Sequence, residues 1–428
     1  MRRFFFWLHL VAGVVAGSII AVMCFTGALL AFEHEIVEWA ERDARDVTLP
    51  GEIAERRPLN ELIANARAVK PEATVTGITV SSDPTKAVAV SFGRDAAVYV
   101  DPYTGEAREP KSTAVHDFMH LMTDWHRWLA MSGDNRATGK AITGACNTAF
   151  LVLGLTGLYL WWPRRWTWRV LKPSVWFTGS RGKARDWNWH NVIGFWTLPV
   201  LIVLTASGMV ISYRWASNLV YQAFGEAPPQ QQGPGAMAGV AREPIAPPAP
   251  DARPLPQGAL LEAAQLAAPN FDSITLRLGN PRAGRGGASA SAAQAPASTE
   301  LRGEGANQGP RGVAPVNVSV REKDQFPTFG STTLVLNPFT GAVVDRSGFS
   351  DMSSGRQARM WLRWLHVGQG FGWVGQLIAL IACVGGLVLV YTGFALAWRR
   401  FFPRRPKRVT VTVAQTKTSP APVATTTS

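Results

Sequence analysis

The chain has 428 residues, a formal net charge of +13 and 47% hydrophobic residues. A soluble chain of this length would form two or three domains, but here the apolar residues are gathered in long uncharged runs. The runs cover 4–32, 141–162, 191–213 and 374–398. Because a membrane-spanning helix needs about 20 apolar residues, the sequence predicts four transmembrane helices. The basic excess flanks these helices, and segment 33–139 holds eighteen acidic against twelve basic residues, which excludes nucleic-acid binding.

The first predicted helix covers 1–32. A secretory signal also begins with basic residues such as Arg2 and Arg3, but this run is too long and has no A-x-A-like cleavage site before Glu33. A first α+β module follows at 33–138, with a predicted helix at 59–69 and strands near 75–80 and 87–92. Its DPYTGE sequence at 101–106 is typical of a strand that enters a tight turn.

The second helix is predicted at 139–163, a basic loop at 164–189, and the third helix at 190–214. A second α+β module covers 215–371, with a helix at 259–267 and strands at 274–278 and 316–320. Two stretches rich in Ala, Pro, Gly and Gln, at about 226–256 and 281–314, interrupt it and are predicted to be flexible insertions. The fourth helix covers 372–398, and the tail at 399–428 is predicted to become disordered after Pro406.

Basic residues cluster in three places on one side of the predicted helices. Since Lys and Arg are retained in the cytoplasm, both termini are predicted to be cytoplasmic and the modules to lie outside. The basic clusters are Arg2 and Arg3; Arg164, Arg165, Arg169, Lys172, Arg181, Lys183 and Arg185; and Arg399, Arg400, Arg404, Arg405, Lys407 and Arg408.

Cys24, Cys146 and Cys383 all lie inside apolar runs, as small packing residues do, and no C-x-x-C-H motif for covalent haem is present.

The sequence repeats itself. HLVAG at His9 runs to F-T-G at Gly27, and HNVIG at His190 runs to A-S-G at Gly208 with the same spacing. TGLYLWWPRR from Thr156 matches TGFALAW from Thr392, and VYVDPYTGEA matches LVLNPFTGAV. We therefore predict an internal duplication of a helix–module–helix unit, with a two-fold axis along the membrane normal.

Four of the seven histidines are related by this repeat: His9 with His190, and His126 with His366. Ionisable residues at membrane depth are functional candidates, and two imidazoles related by a two-fold axis can bind one haem iron from opposite faces. The alternative is that they are interfacial histidines at headgroup level beside Trp and Tyr. The glycines of the first and third helices suit either a bulky ring or close helix packing.

Other candidates have weaker patterns. His34 has Trp215 as its repeat equivalent, so it is either an unpaired ligand or a third outer histidine near the substrate. His116 and His120 are spaced i, i+4, which is typical of a metal site and also of a solvated helix face. Three arginines near the outer surface would pair with haem propionates, an anionic iron chelate or lipid headgroups: Arg127, Arg214 and Arg363.

Taken together, these motifs resemble the PepSY-associated transmembrane family, which includes ferrisiderophore reductases of the bacterial inner membrane. The resemblance rests on HLxxG at His9, DPYTGE at 101–106, HRWL at His126, WHNxxG at His190 and LHxG at His366. It implies periplasmic PepSY modules, two b-type haems with those histidines as axial ligands, and reduction of Fe(III) held by a siderophore. No Rossmann or P-loop fingerprint is present, so the electron donor is expected to be a quinol or a separate cytoplasmic reductase.

Two alternatives remain open at this point. One is a haem-free membrane protein whose PepSY modules bind peptides or regulate a peptidase. The other is a transporter, since duplicated helices around an axis also suit a permeation path, but the predicted spans contain no buried Asp, Glu or Lys to couple ions.

Overall fold

The computed structural model describes residues 1–51, 55–93, 96–229, 243–249, 251–278 and 312–403. Most of the two predicted flexible insertions, namely 230–242, 250 and 281–311, and the tail from 404 lie outside the described residues. The described part consists of a bundle of long helices and a single antiparallel sheet.

The helices alternate between long spans and short connecting helices. Four segments are long and apolar enough to cross a membrane, as the sequence predicted: Arg2–Leu30, Gly133–Trp161, Gly182–Ser212 and Gln369–Phe401. In chain order the α-helices are α1 (Arg2–Leu30), α2 (Glu33–Ala40), α3 (Arg42–Arg45), α4 (Leu59–Val69), α5 (Ala114–Trp128), α6 (Arg136–Trp161), α7 (Trp168–Val175), α8 (Gly182–Ser212), α9 (Arg214–Ala223), α10 (Gln257–Ala267), α11 (Ser354–His366) and α12 (Gly372–Phe401).

Helix α8 begins at Gly182, eight residues before the predicted start at 190, so the basic loop is shorter than 164–189. The prediction counted only uncharged residues, whereas a helix continues beyond the hydrocarbon core for as long as its polar side chains find partners. The loop itself contains α7, held to α8 by Asn188, whose Nδ2 donates to the carbonyls of Pro173 (2.7 Å) and Trp176 (3.0 Å).

The four spans form a ring in which α1 packs against α6 and α12, and α8 packs against the same two helices. Helices α1 and α8 therefore lie at opposite corners. Small residues allow the close approach. A Cβ at Gly17 would lie 2.8 Å from the Phe394 ring, and one at Gly386 would lie 2.7 Å from Cys24 Sγ.

Eight strands form one sheet, in the order β4-β3-β2-β1-β5-β6-β7-β8. The four strands from each sequence repeat occupy one half, in mirrored order. The halves join where β1 pairs with β5, placing Ile78 opposite Leu276 and Val80 opposite Ile274. The strands are β1 (Gly77–Ser81), β2 (Val88–Ser91), β3 (Ala97–Val100), β4 (Ala107–Arg108), β5 (Phe271–Arg277), β6 (Val316–Glu322), β7 (Thr332–Leu336) and β8 (Val343–Ser347).

The sequence predicted two α+β modules, and the structure instead fuses their strands into a single sheet. Strands β1 and β5 would each be an exposed edge in a separate module, and pairing them satisfies backbone groups that water or another chain would otherwise meet. One hydrophobic core spans the join, since α4 and α10 cover the same face. Its fully buried members include Ile78, Ile274, Ala66 and Ala264.

The two strand–turn motifs adopt the same turn. In the first half, Asp101 Oδ1 accepts hydrogen bonds from the backbone N–H groups of Tyr103 (2.8 Å) and Thr104 (3.1 Å). In the second half, Asn337 Oδ1 accepts the equivalent bonds from Phe339 (2.9 Å) and Thr340 (3.3 Å). Each turn then requires a positive φ, which glycine supplies at Gly105 (78°) and Gly341 (72°).

Helices α5 and α11 connect the sheet to the bundle. Helix α5 packs against α1 and α6, and α11 packs against α8 and α9. The segment between β6 and β7 lies on α11, where Phe329 stacks on Trp364 with ring centroids 5.2 Å apart. The last turns of α5 and α11 are thereby held against the sheet-side ends of the spans.

Candidate functional site

The four repeat-related histidines form two pairs at opposite ends of the bundle. His9 and His190 lie near the basic loop, with ring centroids 6.3 Å apart and ring planes at 87°. His126 and His366 lie near the sheet, with ring centroids 6.2 Å apart and planes at 58°. We call these the loop-side pair and the sheet-side pair. Each pair contains one histidine from each repeat.

The loop-side histidines come from the two spans at opposite corners of the ring, α1 and α8. Each is held by a threonine of a neighbouring span. His9 Nδ1 lies 3.0 Å from Thr156 Oγ1 on α6, and His190 Nδ1 lies 2.9 Å from Thr392 Oγ1 on α12. The rings are thus fixed between helices rather than turned toward lipid.

The sheet-side histidines come from α5 and α11, and here α1 and α8 supply the hydroxyls. His126 Nδ1 lies 3.0 Å from Thr26 Oγ1. His366 Nδ1 lies 3.2 Å from Ser207 Oγ and 2.9 Å from the carbonyl oxygen of Leu204. Burial lowers the pKa of both His126 and His366, which keeps their rings neutral at pH 7.

A glycine follows each of these four hydroxyl residues, and the held imidazole lies against it. A Cβ added at the glycine would meet the Cε1 atom of the histidine at 3.1 Å for Gly208, 3.2 Å for Gly27, 3.3 Å for Gly157 and 3.7 Å for Gly393. Each histidine is therefore seated on a Ser/Thr-Gly dipeptide. The sequence contains this signal as F-T-G, L-T-G, A-S-G and Y-T-G, a pattern that indicates the repeat but does not by itself assign the hydroxyls a role.

The spacing of each pair fits one metal atom bound by both rings. Metal–imidazole bonds of about 2.0–2.1 Å, with about 1.1 Å from each nitrogen to its ring centre, place the two centroids about 6.2–6.4 Å apart when the two nitrogens face each other across the metal. Both pairs have this separation. In the described part of the chain, the ring hydrogen bonds of these four histidines are all made at Nδ1, which leaves Nε2 for coordination.

The remaining histidines do not join these pairs. His34 is exposed, with its Nε2 3.7 Å from Glu38 Oε2. The rings of His116 and His120 lie 4.4 Å apart on α5, near Glu33. Burial raises the pKa of Glu33, and the nearby histidines oppose this shift. Among the described residues no group of three or more His, Cys, Asp or Glu side chains is placed to hold a metal ion, so His116 and His120 remain a two-ligand hypothesis.

The three predicted arginines lie on the sheet side of the bundle. The guanidinium of Arg127 lies 4.4 Å from the centre of the Trp128 ring, and that of Arg363 lies 5.7 Å from Trp364. Arg214 is the first residue of α9 and is exposed. All three residues lie within one turn of a helix end, and their role as anion partners stays a prediction.

A buried carboxylate was missed by the sequence reasoning. Asp186, one turn before His190 on α8, is 1% exposed. Its Oδ1 accepts from Arg185 (2.8 Å), and its Oδ2 lies 2.6 Å from Arg399 Nη1. The predicted span at 190–214 contains no acidic residue, but α8 begins at Gly182 and therefore includes Asp186. The helix starts earlier than predicted, and two arginines neutralise the charge that would otherwise be costly to bury.

The family model of the PepSY-associated TM region matches residues 6–400. The chain belongs to this family. The matched residues include parts of all four spans, both halves of the sheet and both histidine pairs, and the match confirms the family inferred from the motifs. No curated protein matches the chain.

Proposed function

We propose that this PepSY-associated TM protein binds two b-type haems, one within each histidine pair, and passes electrons across the membrane to a ferric chelate. The observation that carries the proposal is the occurrence of two symmetric histidine pairs whose ring separations of 6.3 and 6.2 Å both fit one axially bound iron. The ferric chelate as acceptor follows from the resemblance to ferrisiderophore reductases.

The residues of the chain suit this cofactor. The loop-side histidines come from spans at opposite corners of the bundle and the sheet-side histidines from α5 and α11, and the glycine beside each ring leaves space for the imidazole. When bound, haem supplies an iron that accepts and donates one electron at a time. The four paired histidines would hold the two haems, and arginines at the helix ends would supply positive charge for the propionates.

The basic residues set the proposed direction. The loop-side pair lies next to Arg185, Arg399 and Arg400, and Lys and Arg flank spans on the cytoplasmic side. The termini are therefore cytoplasmic and the sheet periplasmic in an inner-membrane protein. One electron enters at the loop-side pair from a quinol or a cytoplasmic reductase and leaves at the sheet-side pair. There it converts Fe(III) to Fe(II), on which hard oxygen ligands have a weaker hold.

The sheet side offers a place for the chelate. A cleft of about 370 Å³ lies in the second half of the sheet, next to the segment that stacks on α11. Its lining combines an ion pair between Glu322 and Arg346 (2.8 Å) with the exposed ring of Phe326. Phe349 of this cleft contacts Phe329 (ring centroids 5.8 Å apart), which stacks on Trp364 of α11, the helix that also carries His366.

The first test is the haem content of the full-length protein purified in detergent. We expect a dithionite-reducible Soret band and two haems per chain. His9→Ala or His190→Ala should remove the loop-side haem, and His126→Ala or His366→Ala the sheet-side haem, leaving one haem in each case. His34→Ala is the control, because this exposed ring belongs to neither pair. A wild-type protein without a Soret band, even after addition of haemin, would support the haem-free PepSY alternative instead.

The second test addresses the acceptor. Protein reduced under anaerobic conditions is mixed with ferric siderophores, and reoxidation is followed in the haem α-band. Prompt reoxidation with formation of Fe(II) supports the proposal. Haem that stays reduced with every ferric chelate, while a soluble oxidant reoxidises it, would show that electron transfer serves another acceptor.

A further inference from the structure

We infer that the hydroxyls of Thr26, Thr156, Ser207 and Thr392 fix the tautomer of the four histidines, so that each ring carries its proton on Nδ1 and offers Nε2 to the metal. These are positioning residues. The inference rests on the proposed function for its metal, but the proton position follows from contacts that exist without one.

The direction of each hydrogen bond follows from the single proton of a hydroxyl group. All four hydroxyls already donate that proton to the carbonyl oxygen four residues earlier in their own helix. The acceptors are Val22 (2.7 Å), Val152 (2.7 Å), Val203 (2.6 Å) and Val388 (2.7 Å). Toward the histidine, the hydroxyl oxygen can therefore only accept.

A histidine that meets an acceptor must donate to it. The proton therefore lies on Nδ1 in all four rings, and the lone pair of the neutral imidazole lies on Nε2. His366 provides a second argument, because its Nδ1 also lies 2.9 Å from the carbonyl oxygen of Leu204, which has no proton to give. Metal-binding histidines typically donate their other ring N–H in this way, which orients the ring and increases its basicity.

Donation to a backbone carbonyl is common for Thr in helices and does not by itself indicate a site. Thr148 on α6 makes the same bond, to Gly144 (3.0 Å). What distinguishes the four hydroxyls is that each also meets a histidine, and that they are equivalent in the repeat, Thr26 with Ser207 and Thr156 with Thr392. The same contact between a hydroxyl and a histidine Nδ1 is therefore present at both ends of the bundle.

The test removes one hydroxyl and keeps the shape of the side chain. Thr156→Val removes the hydroxyl oxygen that accepts from Nδ1 of His9, while Thr156→Ser retains it. Thr148→Val is the matched control on the same helix, since it loses a backbone bond but faces no histidine. In the full-length haem-loaded protein we expect Thr156→Val to weaken haem binding at the loop-side pair about fivefold, as for loss of one hydrogen bond of about 1 kcal/mol.

The reduction potential provides a readout that a packing role would not change. A ring that no longer donates from Nδ1 gives less electron density to ferric iron, so the midpoint potential of the loop-side haem should shift to a more positive value in Thr156→Val. It should stay near the wild-type value in Thr156→Ser and Thr148→Val. Equal potentials and equal haem content in all four proteins would overturn the inference.

A haem-free measurement separates this inference from the proposed function. In the apoprotein labelled with ¹⁵N-histidine, solid-state NMR distinguishes protonated from unprotonated ring nitrogens. We expect four rings with Nδ1–H in the wild type, one of which loses its fixed tautomer in Thr156→Val. Protonation on Nε2 in any of these four rings would refute the inference whether or not haem binds. An absent Soret band with the expected NMR result would refute only the haem.

Discussion

Replacing the glycine beside a histidine with alanine tests whether the Ser/Thr-Gly dipeptides shape the metal sites. Gly208→Ala is the sharpest case, because its Cβ would lie 3.1 Å from His366 Cε1 and 3.2 Å from the amide nitrogen of Asn147. Carbon atoms in contact are about 3.5–4.0 Å apart, so the ring must move by about 0.4 Å or more. A metal bond tolerates about 0.2 Å, and the displacement therefore reaches the site.

The expected cost follows from overpacking. Adding a methyl group to a filled interior costs about 1–3 kcal/mol, which corresponds to about 5- to 160-fold weaker haem binding at the sheet-side pair. The neighbouring amide cannot give way freely, since Asn147 Nδ2 donates to the carbonyl of Thr205 (2.9 Å). The loop-side haem should keep its affinity.

The chain contains its own control. At Gly393 the same methyl group would lie 3.7 Å from His190 Cε1, an ordinary contact, so Gly393→Ala should retain both haems. Gly27→Ala and Gly157→Ala, at 3.2 and 3.3 Å, should lie between these extremes. The assay is haem content by the pyridine haemochrome method, with haem loss to apomyoglobin as a rate. Equal loss in Gly393→Ala and Gly208→Ala would refute the reasoning, because it would show no dependence on the available space.

Two further substitutions test charges outside the histidine pairs, each by thermal unfolding of the full-length protein in detergent. Asp186→Asn removes a buried charge from between Arg185 and Arg399. Because both arginines are more than one third exposed to solvent, which weakens the pairing, we expect the free energy of unfolding to fall by only about 1–3 kcal/mol. Asp43→Asn, in an exposed pair with Lys111, should leave the unfolding midpoint unchanged, and equal effects of the two substitutions would contradict this view. Glu226→Gln tests the start of α11: hydrogen bonds from the Gly355 backbone (2.9 Å) and from Ser353 (2.6 Å) lower the pKa of Glu226. Since the pKa of Glu226 is lower in the folded than in the unfolded protein, its carboxylate stabilises the folded state at neutral pH, and this contribution is lost as the pH falls through the folded pKa. The thermal unfolding midpoints of wild type and variant should therefore converge in acid. A difference between the midpoints that widens in acid would refute this.

Local patterns in the sequence were sufficient for the spans and for several smaller elements. Uncharged runs located all four long helices, and the helix at 59–69 has the bounds of α4. The repeat also nominated four of seven histidines, and the structure brings these four together as two pairs. The helix predictions succeed because hydrophobic runs are properties of neighbouring residues. The role of the four histidines as cofactor ligands stays a prediction.

Features that depend on contacts between distant segments were not accessible in this way. The pairing of β1 with β5 joins residues almost 200 positions apart, and neither strand carries a sign of its partner. In the sequence, Asp186 lies in a basic stretch that is typical of a solvated loop, whereas in the structure it lies on α8 between two arginines. The hydroxyls of the dipeptides were visible as conserved spacing within the repeat, but their partners lie on other helices.

Contacts within each sequence repeat differ from contacts between the two repeats. Each repeat holds its own histidines: Thr156 and Thr26 hold those of the first, and Thr392 and Ser207 those of the second. Each gap between two paired imidazole rings, in contrast, lies between the repeats, as does the join between β1 and β5.

In both α1 and α8, seventeen residues separate the histidine at one end from the hydroxyl at the other, which is about 26 Å along a helix. The same two helices therefore set the positions of both pairs, so that a shift of one repeat against the other alters both gaps together. His34, whose counterpart in the other repeat is Trp215, lies outside both pairs.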